Sequence, residues 1–282
     1  MDLRSRAELE YLGDLIGAIH SAAPETQWLL VGATARDLLT YYGHGIQVPR
    51  ATEDVDLGVA VTDWTHFQDI RHRLLESDLF VEVPNVSHQV RYQSQVRVDL
   101  IPFGGVERSD GTIAWPPAGI PQMTVTGFAE ALREAQNIIL PGARTVAVVS
   151  LPMLVFLKMI AWSDRHERRP GVDVADAVFI LANYLDCGNR NRLFEDEADL
   201  VDDPDFDYEL AGANLAGRDL RRILTKTKPG SSPMIETLKE IIQSQLATTS
   251  PGLMLQQLPA QQLDQSARLL ESFLNGLTTE LP

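Results

Sequence analysis

With 282 residues, 44 % apolar and 22 % charged, the chain has room for one large domain or two of about 150 residues around a packed core, and wholesale disorder is excluded. Thirty-nine acidic residues against twenty-four basic ones leave a formal charge of −15. Non-specific coating of nucleic acid needs a basic stripe to displace counterions, so that mode is excluded, although a local basic cluster can still grip one end of an RNA. The single cysteine, Cys187, allows no intramolecular disulfide, zinc knuckle or iron–sulfur site. The N-terminal stretch is amphipathic and acid-bearing, without the apolar core of a secretory signal. The longest apolar run, Leu151 to Trp162, carries Lys158 and is too short to span a bilayer. A cytoplasmic protein without membrane contact is expected.

In chain order, Glu8 to Ile19 has helical spacing of leucine and isoleucine, and Trp28 to Gly32 reads as a buried strand ending in glycine. Thr34 to Tyr42 suits a helix. Asp54 to Val61 alternates strictly, with Val55, Leu57, Val59 and Val61 on one face and Asp54, Asp56, Gly58 and Ala60 on the other. Thr65 to Leu75 suits a helix, followed by strands at Phe80–Val83, Gln89–Gln93 and Val96–Pro102, the last two forming a hairpin around Ser94. Ser109 to Gln122, rich in Pro and Gly, reads as an excursion loop, and Arg144–Val149 as a closing strand. After Leu151 the spacing is helical throughout: Leu151–Arg165, Val174–Leu185, Arg218–Leu224, Pro233–Leu246 and Gln261–Leu274. The expected fold is therefore α/β over residues 1–150, a small mixed sheet with helices, followed by an α-helical domain over 151–282. Glu195 to Glu209, dense in acid and without Lys or Arg, reads as a solvated loop.

Asp54 and Asp56 read either as a solvated strand edge or as a metal-binding pair. At i and i+2 on one strand their carboxylates project from one face, and two like charges so close call for a cation between them. Hard carboxylate oxygens suit Mg²⁺ or Mn²⁺, which commonly hold substrate phosphates as well. In Val96-Arg-Val-Asp-Leu-Ile-Pro102 the core-facing Val96, Val98 and Leu100 put Arg97 and Asp99 on the opposite side. If this strand neighbours the first, three acids converge, as a two-metal phosphoryl-transfer centre requires; otherwise Asp99 is a surface partner for Arg97.

Upstream, Gly32-Ala33-Thr34 joins a strand to a helix. Glycine lets the backbone approach a phosphate there, and Thr34 either donates its hydroxyl or caps the helix. Neither a P-loop nor a Rossmann glycine pattern occurs. Lys158 interrupts an apolar helix and must either snorkel to water or meet an anion. Arg165, Arg168 and Arg169 follow it, and Arg218, Arg221, Arg222, Lys226 and Lys228 form a second basic stretch; both read either as phosphate or RNA contacts or as solvated helix surface. The six histidines lack zinc-hydrolase spacing, no Gly-x-Ser-x-Gly elbow exists, and Cys187 has no evident base partner, so hydrolase readings drop out.

Together, Gly32-Ala-Thr-Ala, Arg50-Ala-Thr52-Glu-Asp54-Val-Asp56-Leu, Val98-Asp99-Leu, Leu157-Lys158-Met-Ile-Ala161 and Arg165…Val172-Asp173-Val-Ala-Asp176 resemble the nucleotidyltransferases of the DNA polymerase beta superfamily, in the AbiEii/AbiGii toxin-type branch, from about Val31 to Asp176. Two positions depart from that pattern: Ala33 stands where the second glycine is expected, and Val172 where a lysine is. The resemblance implies Mg²⁺- or Mn²⁺-dependent transfer of a nucleoside monophosphate from an NTP. It implies Asp54, Asp56 and Asp99 as metal ligands, Asp99 also as base, and Lys158 on the triphosphate. Gly32, Ala33, Thr34, Arg50, Thr52, Arg165, Asp173 and Asp176 would then line the nucleotide site. It further implies a toxin-like role with a cognate antitoxin. An RNA 3′ end such as that of tRNA is the expected acceptor. A protein-modifying (AMPylating) transferase and a degenerate binding module, for which Ala33 is the motive, are the alternatives.

Overall fold

The structure, a computed structural model, describes residues 1–48, 54–117, 119–120, 122–202, 204–226, 233–246 and 251–280. Two compact units divide the chain: Met1–Gly43 with Gln47–Ser150, and His44–Ile46 with Leu151–Pro282.

In the first unit, α1 (Glu10–Ala22) leads into β1 (Trp28–Val31), α2 (Gly32–Asp37), β2 (Asp54–Val61), α3 (Trp64–Glu76), β3 (Phe80–Glu82), β4 (Gln89–Tyr92) and β5 (Val96–Gly104). There follow β6 (Thr112–Ala114), β7 (Gln122–Thr124), α4 (Phe128–Arg133), β8 (Gln136–Leu140) and β9 (Arg144–Val148). Seven strands form one mixed sheet in the order β3-β4-β5-β2-β1-β9-β8, with β2/β5 and β1/β9 parallel and the other neighbours antiparallel. All four residues of the central β1 are buried, which is why it reads as a plain apolar run. On α1 the positions Leu12, Leu15, Ile16 and Ile19 recur at helical spacing and are fully buried, each burial contributing about 1.5–3 kcal/mol. Asp63 caps α3 by accepting from the His66 amide at 2.8 Å.

Residues 109–122 are not wholly a loop: β6 pairs with β7 in a small antiparallel ribbon. Three-residue strands bounded by Pro and Gly carry too short a pattern to stand out. Helix α4, too short to show a helical period, packs its Phe128 with Phe103 of β5 over Gly58. That apolar lid covers the later part of the β2 face that begins with Asp54 and Asp56, confining the acids to one end of the sheet.

The second unit is built from α5 (Leu151–Arg165), α6 (Val172–Ala182), α7 (Tyr208–Thr225), α8 (Pro233–Gln245), α9 (Leu253–Gln256) and α10 (Leu263–Thr278). Helices α7 and α10 cross at their backbones: a Cβ on Gly217 would stand 2.1 Å from the Phe273 carbonyl oxygen, and one on Gly276 1.9 Å from that of Asn214. Only glycine permits that approach. No helix among the described residues is long and apolar enough to cross a membrane.

Most described residues of 195–209 are exposed, as a solvated loop would be, but Glu197 departs from that reading. Glu197 is 1 % exposed and holds guanidinium groups of Arg192 at 3.2 Å, Arg218 at 2.8 Å and Arg222 at 2.6 Å. Asp199 takes both outer nitrogens of Arg218, at 2.9 and 2.5 Å. Glu197 and Asp199 therefore pin the segment to α7, the buried Glu197 being tolerated because cations match it.

Candidate functional site

The first unit brings the acids of two strands into register. Across the parallel β2/β5 pair Asp54 stands opposite Arg97 and Asp56 opposite Asp99, so all four side chains share one face. The antiparallel β4 extends both rows, placing Gln89 beside Asp99 and Arg91 beside Arg97. Asp54 thus shares one row with Arg97 and Arg91, and Asp56 the next with Asp99 and Gln89, so the three acids adjoin across two rows. The pairing of Arg97 is with Asp54, across the strands, rather than with its sequence neighbour Asp99.

The Gly32 turn is tied to the same strand. Gly32 has φ +70°, and a Cβ there would meet Asp56 Oδ2 at 2.0 Å. The glycine is thus needed for the Asp56 carboxylate to lie against the backbone, independently of any phosphate. Ala33 is buried. Thr34 Oγ1 donates to the backbone carbonyl of Asp54 at 2.8 Å, and α2 has no side-chain cap. Its hydroxyl fastens the start of α2 to the start of β2 in place of capping. Arg50 and Thr52, like Lys228 of the second basic stretch, lie outside the described residues.

The donor set fits a hard divalent cation in chemistry, since it consists of carboxylate oxygens. Its present arrangement is a closed one: Arg97 engages Asp54, and among the described residues no three acidic, histidine or cysteine groups surround a common ion position.

The second unit gathers Lys158, Arg165, Asp173 and Asp176. Lys158, 6 % exposed, meets its anions inside the fold: its Nζ lies 2.7 Å from Asp176 Oδ2 and 3.2 Å from Asp173 Oδ1. Arg165 donates through Nε and Nη2 to both oxygens of Asp173, each at 2.8 Å. Burial pushes the Asp173 carboxyl up, but Arg165 and Lys158 outweigh it and hold the group below the usual carboxylate range. Of the remaining basic residues, Arg168 and Arg169 are exposed. Arg218 and Arg222 are bound to Glu197, and Arg221 donates to the Leu277 carbonyl at 3.2 Å. The second basic stretch is thus largely spent on internal contacts.

Gln89 and Arg91 also stand beside the acids, although no motif marks them. The signal that finds them is the hairpin register, which aligns Gln89 with Asp99 once Tyr92 faces Val96.

Comparison with known proteins gives a match over residues 15–244 to the family described as "Nucleotidyl transferase AbiEii toxin, Type IV TA system". No curated protein matches. Among solved structures, ANT(2″)-Ia in complex with adenylyl-2″-tobramycin aligns at 16 % identity and TM-score 0.36, covering 64 % of this chain and 90 % of that one. A solution structure of the antibiotic-resistance factor ANT(2″)-Ia aligns at 14 % and 0.37, covering 68 % and 95 %.

Proposed function

Because the chain belongs to the AbiEii nucleotidyltransferase toxin family, we propose that it moves a nucleoside monophosphate from an NTP to an acceptor hydroxyl at the β2/β5 acid row, with Mg²⁺ or Mn²⁺ held by Asp54, Asp56 and Asp99. The observation that carries this reading is the parallel register that sets Asp56 beside Asp99 and Asp54 two residues away on the same face. In the transfer, the acceptor oxygen bonds to the α-phosphorus as the bond to the β-phosphate oxygen breaks and pyrophosphate leaves. The acceptor proton passes to Asp99. Asp54, Asp56 and Asp99 would hold a divalent cation, which would supply neutralisation of charge on the phosphate oxygens.

The Gly32–Thr34 turn, fixed to Asp54 by the Thr34 hydroxyl, serves the β and γ phosphates. Lys158 serves the triphosphate by trading one of its two carboxylates, and Arg165, Asp173 and Asp176 set its position. Arg50 and Thr52 complete the nucleotide site. An RNA 3′ end such as that of tRNA is the acceptor we favour. Its backbone would be met by the exposed Arg168 and Arg169, since Arg218 and Arg222 are engaged internally. The family description supports a toxin role with a cognate antitoxin. Incubation with each α-labelled NTP and total RNA tests the proposal: label in RNA that is released by RNase supports it. Label that survives RNase and is lost to protease transfers the reading to a protein acceptor, and no label with any NTP rejects catalysis.

A further inference from the structure

We propose that Arg97 is a placeholder cation for the site: it occupies the Asp54 carboxylate while no divalent cation is bound, and must let go of it before Asp54 can become a ligand. The inference rests on the metal assignment just made and concerns how that site opens.

Three observations converge on it. Arg97 and Asp54 are direct register partners on adjacent parallel strands, and the guanidinium Nη2 bonds to Asp54 Oδ2. A carboxylate oxygen taken up in this way is withdrawn from an ion. Second, the grip is incomplete. Arg97 Nε is buried and makes no hydrogen bond, so the guanidinium is not seated in the two-pronged fork that makes Arg–carboxylate pairs strong. A buried donor left without a partner counts against the pair and loosens the hold. Third, the residue on the far side of Arg97 in the same row is Arg91, another cation. Arg97 therefore stands between an acid and a base. Its preference for Asp54 depends on the acid row keeping its negative charge, and a divalent ion removes that preference.

The pair is one-quarter to one-third exposed, 25 % at Asp54 and 34 % at Arg97, so the guanidinium has a path to solvent when released. A partly exposed pair of this kind is worth at most about 1 kcal/mol, small enough for a divalent cation to displace. The same residue thus neutralises Asp54 when that carboxylate holds no ion and stands aside when it does. It is a positioning residue in this sense, acting through Asp54.

The test is Mn²⁺ binding to the nucleotide-free protein, followed by isothermal titration calorimetry and by the loss of the free Mn²⁺ paramagnetic resonance signal. Arg97→Gln and Arg91→Gln remove the same charge, but only the first loses a contact with Asp54. Arg97→Gln is expected to bind Mn²⁺ about fivefold tighter than wild type, the factor that corresponds to a pair of about 1 kcal/mol. Arg91→Gln is expected to change it by less than about twofold. Should Arg97→Gln fail to fold by circular dichroism, Arg97→Lys replaces it: the shorter, single-pronged cation weakens the hold and gives an intermediate affinity. Wild-type affinity in the Arg97 variant, or equal tightening by both variants, overturns the placeholder role. Asp54→Asn separates the two levels: if it abolishes Mn²⁺ binding while the Arg97 variant matches wild type, only the placeholder fails. If Asp54→Asn binds Mn²⁺ normally, the metal assignment itself fails.

Discussion

Replacing Lys158 by methionine keeps most of the side-chain volume and deletes one charge from a buried cluster. The ammonium lies 2.7 Å from Asp176 and 3.2 Å from Asp173, with Lys158 and both aspartates almost wholly buried. Removing one partner of a buried pair costs about 3–5 kcal/mol, because the other charge stays buried. Asp173 keeps both bonds from Arg165, which places the loss near the lower end, about 3 kcal/mol. For a chain of this size that lowers Tm by about 6–12 °C. The loss has a definite pH signature. Asp173 titrates below the usual range in the fold, so its pairing contributes stability above the unfolded value of about 3.9 and loses it as pH falls through the lower folded value. The wild-type advantage over Lys158→Met is therefore full at pH 7 and shrinks as the pH is taken below about 4. Urea unfolding followed by circular dichroism at pH 7 and at about pH 3 measures both. A deficit under about 1 kcal/mol at pH 7, or one that widens on acidification, would refute the reasoning.

Glu197→Ala leaves the guanidinium groups of Arg192, Arg218 and Arg222 around a vacated buried site; Asp199 and Asp219 retain them in part, so a loss of about 3 kcal/mol in urea unfolding is expected. Gly32→Ala forces a side chain into positive φ and onto Asp56 Oδ2, so thermal unfolding should show a loss of at least about 1–2 kcal/mol, with transfer activity falling alongside it. Thr34→Val removes the bond to the Asp54 carbonyl and should cost about 1 kcal/mol by the same measurement. Burial, helped by Asp186, pushes the Cys187 thiol up to about 12, so iodoacetamide at pH 8 should leave the folded protein unmodified and label it only in denaturant.

Much of the first unit was legible because its strands carry complete patterns. The run Asp54–Val61 alternates without a break, and the structure gives a strand with those bounds. The acid face follows from that alternation, and its junction with Asp99 from the motif that the family shares. What stayed hidden depends on pairing between distant segments. Arg97 could not be assigned to Asp54 rather than to Asp99 without the β2/β5 register. The short strands of residues 109–122 have no period to read, and α4 spans only six residues. The charge runs misled in a more instructive way. Glu195 to Glu209 and Arg218 to Arg222 read separately as solvated acid and as basic surface for RNA. Helix α7 brings Glu197 and Asp199 to Arg218 and Arg222, so these charges satisfy one another. Composition reports charge but not which charges meet, and that is decided only by tertiary packing.

The central claim is that the Asp54, Asp56 and Asp99 row performs nucleotidyl transfer. Its most direct test is release of pyrophosphate and incorporation of label from an α-labelled NTP, comparing wild type with Asp56→Asn in the presence of Mg²⁺ and total RNA. Asp56→Asn preserves side-chain shape against Gly32 and removes one acid from the register pair with Asp99. The account predicts incorporation with stoichiometric pyrophosphate in wild type, dependence on Mg²⁺, and loss of both signals in the variant while its circular dichroism and Tm stay close to wild type. Near-normal turnover by a folded Asp56→Asn protein would contradict it.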